Sequence, residues 1–184
     1  TPDGKQALVT LDGESANRIA VLSIDGNKVE VTKRSFNAGI RPYGIKAMSS
    51  LSIEKSYRLV PRELSIEYSA YESGLDRFVH PNKGEFLGRD ALVAGREKGL
   101  NWNFVTMEVH GVSDADSDTR GSEPIYSKGK LVGRATNGGF GWRVNKSLAL
   151  GMVRPEYATL DTELEIKILD KTFKASVIAE SPYD

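Results

Sequence analysis

Apolar and charged residues alternate at both ends of the chain, and this period of two predicts β-strands there. In the N-terminal part, residues 7–11, 18–24 and 28–32 alternate or are continuously apolar. Asp12-Gly13 and Asp25-Gly26 stand where turns between these strands are expected, because Asp-Gly pairs suit tight turns. Residues 1–43 are therefore predicted to form an N-terminal β segment.

A helical pattern replaces the alternation in the middle of the chain. Residues 45–58 place apolar side chains at spacings of three and four, which predicts a helix that ends before Pro61. Glu54 and Arg58 would then form an i,i+4 ion pair. Residues 62–79 are irregular, and residues 89–98 predict a second helix that ends at Gly99. Residues 44–100 thus form a predicted helical segment.

From residue 101 to the end the pattern returns to β. The predicted strands are residues 104–109, 124–126, 130–136, 147–153, 162–169 and 173–179. Asn137-Gly138-Gly139 indicates a hairpin turn or a bulge, where glycine makes a positive φ easy to adopt. Short strands at this close spacing favour a small antiparallel barrel or a sandwich. The predicted fold class is α+β: an N-terminal β piece, a helical middle segment and a C-terminal β-barrel.

Composition narrows the classes of function. The chain of 184 residues has no cysteine, two histidines and a formal net charge of zero. The lack of cysteine excludes thiolate chemistry, and two histidines make a histidine-rich metal site unexpected. Binding to a nucleic acid or a membrane is not expected either, because this chain lacks the clustered basic face that such binding requires. No run of 18 apolar residues is present, and we expect a cytoplasmic location. Because the sequence starts at Thr1, we also expect a fragment or a processed chain.

Two loops resemble ligand sites but have simpler interpretations. Asp114, Asp116 and Asp118 are spaced like part of a calcium loop, but the glycine and glutamate of an EF-hand are missing, so a solvated loop is favoured. Asn137-Gly138-Gly139 could cradle a phosphate, but no helix with a suitable lysine follows, so a structural turn is favoured. No catalytic residue and no metal ligand are assigned.

The irregular segment after the first helix carries a more informative set of side chains. Aromatic faces can stack on a flat heterocycle, and charged groups can hold its edges and carboxylates. The alternative is that these residues attach an irregular segment to the helix. The set is Tyr57, Arg58, Arg62, Tyr68, Tyr71 and Glu72.

Several motifs, in order, resemble the glycine cleavage T-protein family. Residues 44–76 are similar to its G-x-x-A-R-x-x-L-R-L-E-x-x-Y and P-x-E-A-G-L elements, and residues 86–92 to F-I-G-R-x-A-L. Residues 123–154 are similar to its V-G-x-V-T-S-G-G-Y-S and K-S-L-A-L-A-Y-V elements, and residues 181–184 to its closing S-P-Y-D. The resemblance spans about residues 39–184 and is strongest to the T-protein-like half of dimethylglycine and sarcosine dehydrogenases.

The resemblance implies binding of tetrahydrofolate, with Tyr57, Tyr71 and Glu72 as cofactor-binding residues on one wall of the pocket. The family's catalytic aspartate belongs to an N-terminal folate-binding half, of which residues 1–37 show no counterpart. Met48 and Ser52 stand where the family motif has two arginines. A G-x-G-x-x-G sequence after a strand is also missing, so FAD is not supported.

Two functions follow from the resemblance. In the first, the chain is a portion of a tetrahydrofolate-dependent enzyme that transfers a one-carbon unit from glycine or a methylated glycine. In the second, it is a non-catalytic structural or interdomain module of such a protein. The expected partner is the missing N-terminal folate-binding half or another subunit.

Overall fold

The computed structural model describes the backbone of residues 6–11, 18–25, 28–37, 45–113 and 116–183. The chain folds as two compact units, residues 1–48 and residues 49–184.

The first unit contains a three-stranded antiparallel sheet in the order β1-β2-β3. Its strands are β1 (Gln6–Leu11), β2 (Arg18–Asp25) and β3 (Lys28–Asn37). The register between β2 and β3 shifts between Ala20 and Leu22, and the extra residues of this irregularity lie in β3 between Val31 and Ser35. The three predicted strands are confirmed. The predicted turns at Asp12-Gly13 and at residues 26–27 lie outside the described residues.

Helix α1 (Ile45–Glu54) is shorter than predicted. It ends because Ser56 adopts a φ of +52° and turns the chain onto the barrel. There the Ser56 hydroxyl lies 2.8 Å from Thr106 Oγ1 and accepts a 3.0 Å hydrogen bond from the Ser181 amide. The predicted ion pair between Glu54 and Arg58 is therefore wrong, since the two residues are no longer on one helix.

Turns and short 3-10 helices at Asp76–Phe78 and Pro81–Lys83 connect α1 to the second helix. Helix α2 (Arg89–Lys98) has the predicted bounds. It ends at Gly99, whose φ of +92° costs a glycine little. Neither α1 nor α2, nor any other helix in the described part of the chain, is long and apolar enough to cross a membrane.

Six antiparallel strands then close into a barrel in the order β4-β7-β6-β5-β8-β9, which confirms the predicted C-terminal barrel. The strands are β4 (Asn103–Val109), β5 (Pro124–Ser127), β6 (Lys130–Gly141), β7 (Lys146–Val153), β8 (Glu163–Ile168) and β9 (Lys171–Ile178). Closure comes from β4 pairing with β9, which leaves no free edge in this sheet.

The barrel interior is apolar because alternate residues of each strand point inward. In β8 the buried positions are Leu164, Ile166 and Ile168, while the residues between them are more exposed. Met107 of β4 and Ile125 of β5 are fully buried in the same cluster. The alternation that predicted the strands is thus the alternation that fills the core.

A second apolar cluster lies on the outside of the barrel. Ile53 of α1 packs with four buried barrel residues, and Tyr68 and Trp102 lie against the cluster. The four barrel residues are Phe104, Leu148, Leu150 and Met152. This cluster holds the end of α1 and part of the irregular segment on the outer face of β4 and β7.

Asn137-Gly138-Gly139 is not a hairpin turn, because β6 continues through it to Gly141. The register instead shifts between Ala135 and Asn137, as expected for the bulge alternative. Neither glycine has a positive φ. Gly138 is needed for a different reason: a Cβ there would fall on the hydroxyl oxygen of Thr119 and lie 2.9 Å from the Thr119 carbonyl oxygen.

We therefore expect Gly138→Ala to lower the free energy of unfolding by about 1–3 kcal/mol, the usual cost of an overpacked site. Gly139→Ala is the matched control, because a Cβ at Gly139 meets no atom within 4 Å, and its effect should stay within about 0.5 kcal/mol. Urea denaturation of the chain and both variants measures the difference. Equal losses in the two variants would contradict the steric explanation.

Candidate functional site

Arg58 anchors the irregular segment to the barrel. Its guanidinium lies 3.8 Å from the centre of the Phe104 ring, and its Nε donates a 2.9 Å hydrogen bond to the carbonyl of Ser73. Its Nη1 pairs with Glu180 at 2.8 Å, and the Arg58 side chain is only 10% exposed. Arg58 therefore has a structural role rather than that of a free ligand-binding cation.

Glu63 forms a second attachment point under the segment. Its carboxylate accepts a 2.8 Å hydrogen bond from the Leu59 amide and a hydrogen bond from the Thr136 hydroxyl of β6. The Ser73 hydroxyl donates to the Glu63 carbonyl at 2.7 Å. Because Glu63 is fully buried, these bonds replace the water that its charge would otherwise require.

Glu72, a predicted cofactor-binding residue, is buried, and its carboxylate bridges the segment to the start of the barrel. One oxygen accepts hydrogen bonds from the amide and the hydroxyl of Ser69, at 2.8 and 3.0 Å. The other accepts from the Asn101 amide at 3.1 Å, and the Glu72 carbonyl accepts from the Phe104 amide at 2.9 Å. This carboxylate positions the backbone around it.

Tyr71, the neighbouring predicted residue, is 4% exposed. The guanidinium carbon of Arg96 lies 4.9 Å from the centre of its ring. The Tyr71 hydroxyl is buried, and within the described part of the chain it has no hydrogen-bond partner. An unsatisfied buried hydroxyl costs about 1–3 kcal/mol, so this phenol is suited to a polar group that comes from outside these residues.

Tyr71 and Glu72 line the same cavity, between α2 and the segment that precedes it. The cavity has a volume of about 390 Å³. Its other walls combine apolar and polar groups: Ser69, Ala91, Leu92, Gly95, Lys98, Gly99, Leu100 and Asn101. An apolar cavity with a few converging polar groups is the usual form of a small-molecule site.

Tyr57, the third predicted residue, does not line this cavity. It follows the end of α1, and its amide donates a 3.0 Å hydrogen bond to the Ser52 carbonyl. The Tyr57 residue is 60% exposed. The structure thus brings Tyr71 and Glu72 together and places Tyr57 on an exposed surface. Its role as a cofactor-binding residue stays a prediction.

A second polar group, built around Arg134 of β6, has little signal in the sequence. Arg134 Nε donates to the Tyr68 hydroxyl at 2.8 Å, and Nη2 forms an ion pair with Glu67. Burial raises the pKa of the Tyr68 phenol, and the hydrogen bond from Arg134 acts in the opposite direction. Glu67 and Tyr68 are neighbours in sequence, but Arg134 is 66 residues from Tyr68, so local sequence patterns do not indicate the contact.

The acidic loop is organised by an ion pair. Asp116 accepts hydrogen bonds from the amide and hydroxyl of Ser113, at 2.9 and 2.7 Å, and pairs with Lys171 at 2.5 Å. Asp114 lies outside the described residues. Among the residues that the structure describes, no group of three or more His, Cys, Asp or Glu is arranged to hold a metal ion.

The larger unit is thus a closed antiparallel barrel that carries a helical segment on its outer face. Residues 103–184 match the family model of the glycine cleavage T-protein C-terminal barrel domain, and residues 27–83 match that of the GCVT N-terminal domain. The chain belongs to the glycine cleavage T-protein family.

Its relatives carry two names. It is 32% identical to the mitochondrial dimethylglycine dehydrogenase of Rattus norvegicus, over 77% of this chain and 16% of that protein. It is 34% identical to an aminomethyltransferase of Desulfitobacterium hafniense (strain DSM 10664 / DCB-2), over 76% of this chain and 37% of that protein. The chain therefore spans well under half the length of either relative.

The fold also matches a solved structure, the glycine cleavage system aminomethyltransferase T from Bartonella henselae. The TM-score is 0.66 at 22% sequence identity, over 73% of this chain and 37% of that one. The match over residues 27–83 corrects one expectation from the sequence, that no counterpart of the N-terminal half is present. Residues 44–76 of this range are assigned to the family by their motifs, whereas residues 27–37 were missed because an alternating strand pattern carries no distinctive motif.

The ion pair of the acidic loop makes stability sensitive to acid. The hydrogen bonds from Lys171 and Ser113 lower the pKa of Asp116 from 3.8 to about 2. Because the pKa of Asp116 is lower in the folded chain than in the unfolded chain, the ionised carboxylate stabilises the fold at pH values above its unfolded-state pKa. This stabilisation is lost as the pH falls from about 4 to about 2. Asp116→Asn should therefore lower the melting temperature at pH 7 but change it less at pH 2. Melting curves of both proteins between pH 2 and 7 test this, and a constant difference over that range would contradict it.

Proposed function

We propose that this chain is a portion of a tetrahydrofolate-dependent enzyme that transfers a one-carbon unit from glycine or a methylated glycine. The observation that carries the proposal is the pair of domain matches, which follow one another along the chain in the order N-terminal domain, C-terminal barrel. The relatives named aminomethyltransferase and dimethylglycine dehydrogenase support the same reaction class.

The cavity beside α2 is compatible with one ring system of a folate. Its volume of about 390 Å³ is in the lower part of the range of ligand pockets, about 300–1,000 Å³. The Tyr71 hydroxyl can donate one hydrogen bond and accept others. Ala91, Leu92 and Leu100 give the cavity an apolar wall against which a flat ring can pack.

The three predicted residues have different proposed roles. Tyr71 donates a hydrogen bond to the ligand, and Glu72 fixes the backbone that carries Tyr71. Tyr57 offers an exposed aromatic face for stacking. Tetrahydrofolate, when bound, supplies N5 and N10 as acceptors of the one-carbon unit. The contribution of these residues is to orient it, a large component of enzymatic rate enhancement.

The remainder of the folate-binding half is proposed to come from a longer polypeptide that contains this chain or from another subunit. The chain aligns with only 16% and 37% of the length of the two relatives, which supports this part of the proposal. FAD is not part of the proposed site, and a cytoplasmic location stays a prediction.

A non-catalytic role, as a structural or interdomain module, is the second candidate. Glu72 favours it, because its buried carboxylate already accepts hydrogen bonds from Ser69 and Asn101. Met48 and Ser52, in place of the two arginines of the family motif, also favour it, because no other side chain reproduces a guanidinium fork. Under this alternative, Tyr57→Ala changes the stability of the longer protein but not its turnover.

Anaerobic calorimetry with tetrahydrofolate distinguishes the two functions. For the longer protein we expect saturable binding that Tyr71→Phe weakens by up to about tenfold, the effect of one hydrogen bond. Tyr71→Phe removes only an unpartnered hydroxyl, so the free energy of unfolding should stay equal or rise.

Tyr126→Phe is the matched control, since Tyr126 lies in β5 and does not line the cavity. It should leave tetrahydrofolate affinity unchanged. No binding by the longer protein would count against a folate enzyme. Binding that Tyr71→Phe leaves unchanged would keep the enzyme class but remove Tyr71 from the site.

A further inference from the structure

A second cavity lies on the outer side of the barrel, between the turn at residues 61–67 and the loop at residues 120–122. Its volume is about 400 Å³, and strand β6 forms its floor. Three arginines line it: Arg62, Arg120 and Arg134. None of the residues Tyr57, Tyr71 and Glu72 is part of it.

Arg62 is held at the edge of this cavity by two hydrogen bonds from one nitrogen. Its Nη1 donates to the Thr136 carbonyl at 2.7 Å and to Asn137 Oδ1 at 2.8 Å. These bonds fix the plane of the guanidinium. Its Nε and Nη2 have no partner among the described residues, so the side of the fork suited to bidentate binding is free.

Arg134 is fixed in a similar way. Its Nε donates a hydrogen bond to the Tyr68 hydroxyl, and its Nη2 donates one to the Glu67 carboxylate. Nη1 makes no hydrogen bond within the part of the chain that the structure describes. The Arg134 side chain is 43% exposed, so it is partly open to solvent at the cavity. Two arginines of the cavity are thus oriented before any ligand arrives, which lowers the entropy lost on binding.

Arg120 is brought to the same cavity by a glycine. Gly121 has a φ of +122°, and a Cβ there would lie 2.8 Å from the Thr136 carbonyl oxygen and 3.8 Å from Arg62 Nη1. Only glycine allows the loop to run this close to β6. The Arg120 side chain is exposed, and no described residue accepts a hydrogen bond from it.

Among the residues that line the cavity, arginines outnumber carboxylates. Glu67 is the one carboxylate among its lining residues. Two further carboxylates lie next to these residues, and their donors are neutral groups: Glu123 accepts from the amides of Arg120 and Gly121, each at 2.8 Å, and Glu63 accepts from Leu59 and Thr136. Within the described residues, neither of them forms an ion pair with Arg62 or Arg120, so the free donors of these two arginines are left for a ligand.

We infer that this arginine cavity binds a small dianion whose acid groups are carboxylates or phosphates. Planar guanidinium groups bind both acids through paired N–H donors, which a lysine cannot reproduce. A concave volume of this size suits a small molecule, because a macromolecule would need a broad flat surface. This inference adds a second site to the proposed function and does not depend on folate binding.

Calorimetry on this chain at low salt tests the inference with two probes, glutarate as the dicarboxylate and pyrophosphate as the phosphate. We expect one of them to bind saturably with one site, and Arg120→Gln to weaken it about tenfold. Arg120→Gln is the informative variant because its side chain supports no contact of the fold, and an unchanged melting temperature confirms this. NMR signals of the Arg62 and Arg134 Nε–H groups should shift during the same titration.

Arg77→Gln is the matched control, since it removes the same charge from a residue outside the cavity. It should leave the affinity unchanged. Glutaramide, which has the shape of glutarate without its charges, should not bind. Absence of saturable binding by both probes would overturn the inference, and so would equal weakening by Arg120→Gln and Arg77→Gln, which indicates attraction to overall charge only.

Discussion

The buried guanidinium of Arg58 is the contact on which the arrangement of the larger unit depends. It stacks on Phe104 of β4, donates a hydrogen bond to the Ser73 carbonyl and forms an ion pair with Glu180. It therefore connects the segments that contain Arg58, Ser73 and Glu180 to one barrel strand. A charge that is 10% exposed is tolerated only when its donors are satisfied, and here they are. Both cavities are bounded by the segment that Arg58 holds in place.

The strands of the barrel were predictable from sequence because the pattern that defines a strand is local and repetitive. The alternation in β8 and β9 follows from one apolar and one polar face, and helix α2 ends at its glycine as expected. The strand order and the closure between β4 and β9 depend on pairings distant in sequence, which periodicity does not specify. Periodicity therefore left a barrel and a sandwich open.

The sequence predictions that were wrong or incomplete have one cause: contacts between residues that are distant in sequence. Helix α1 was predicted to reach residue 58, but Ser56 leaves the helix for a hydrogen bond with Thr106, fifty residues away. Asn137-Gly138-Gly139 was a turn candidate, but Gly138 is required by the approach of Thr119. In the candidate sites, Tyr71 and Glu72 are neighbours in sequence and were found together, whereas the three arginines of the second cavity are distributed over residues 62–134 and were not grouped.

The pairing that closes the barrel has a consequence for how this domain is used. Because β4 and β9 are antiparallel neighbours, with Thr106 opposite Ile178, the strand that enters the barrel starts beside the point where the last strand leaves it. A domain whose two ends lie side by side can be joined to different hosts without distortion of its core. Adjacent ends are compatible with the alignment of this chain to proteins of which it spans very different shares, 16% of the dimethylglycine dehydrogenase and 37% of the aminomethyltransferase.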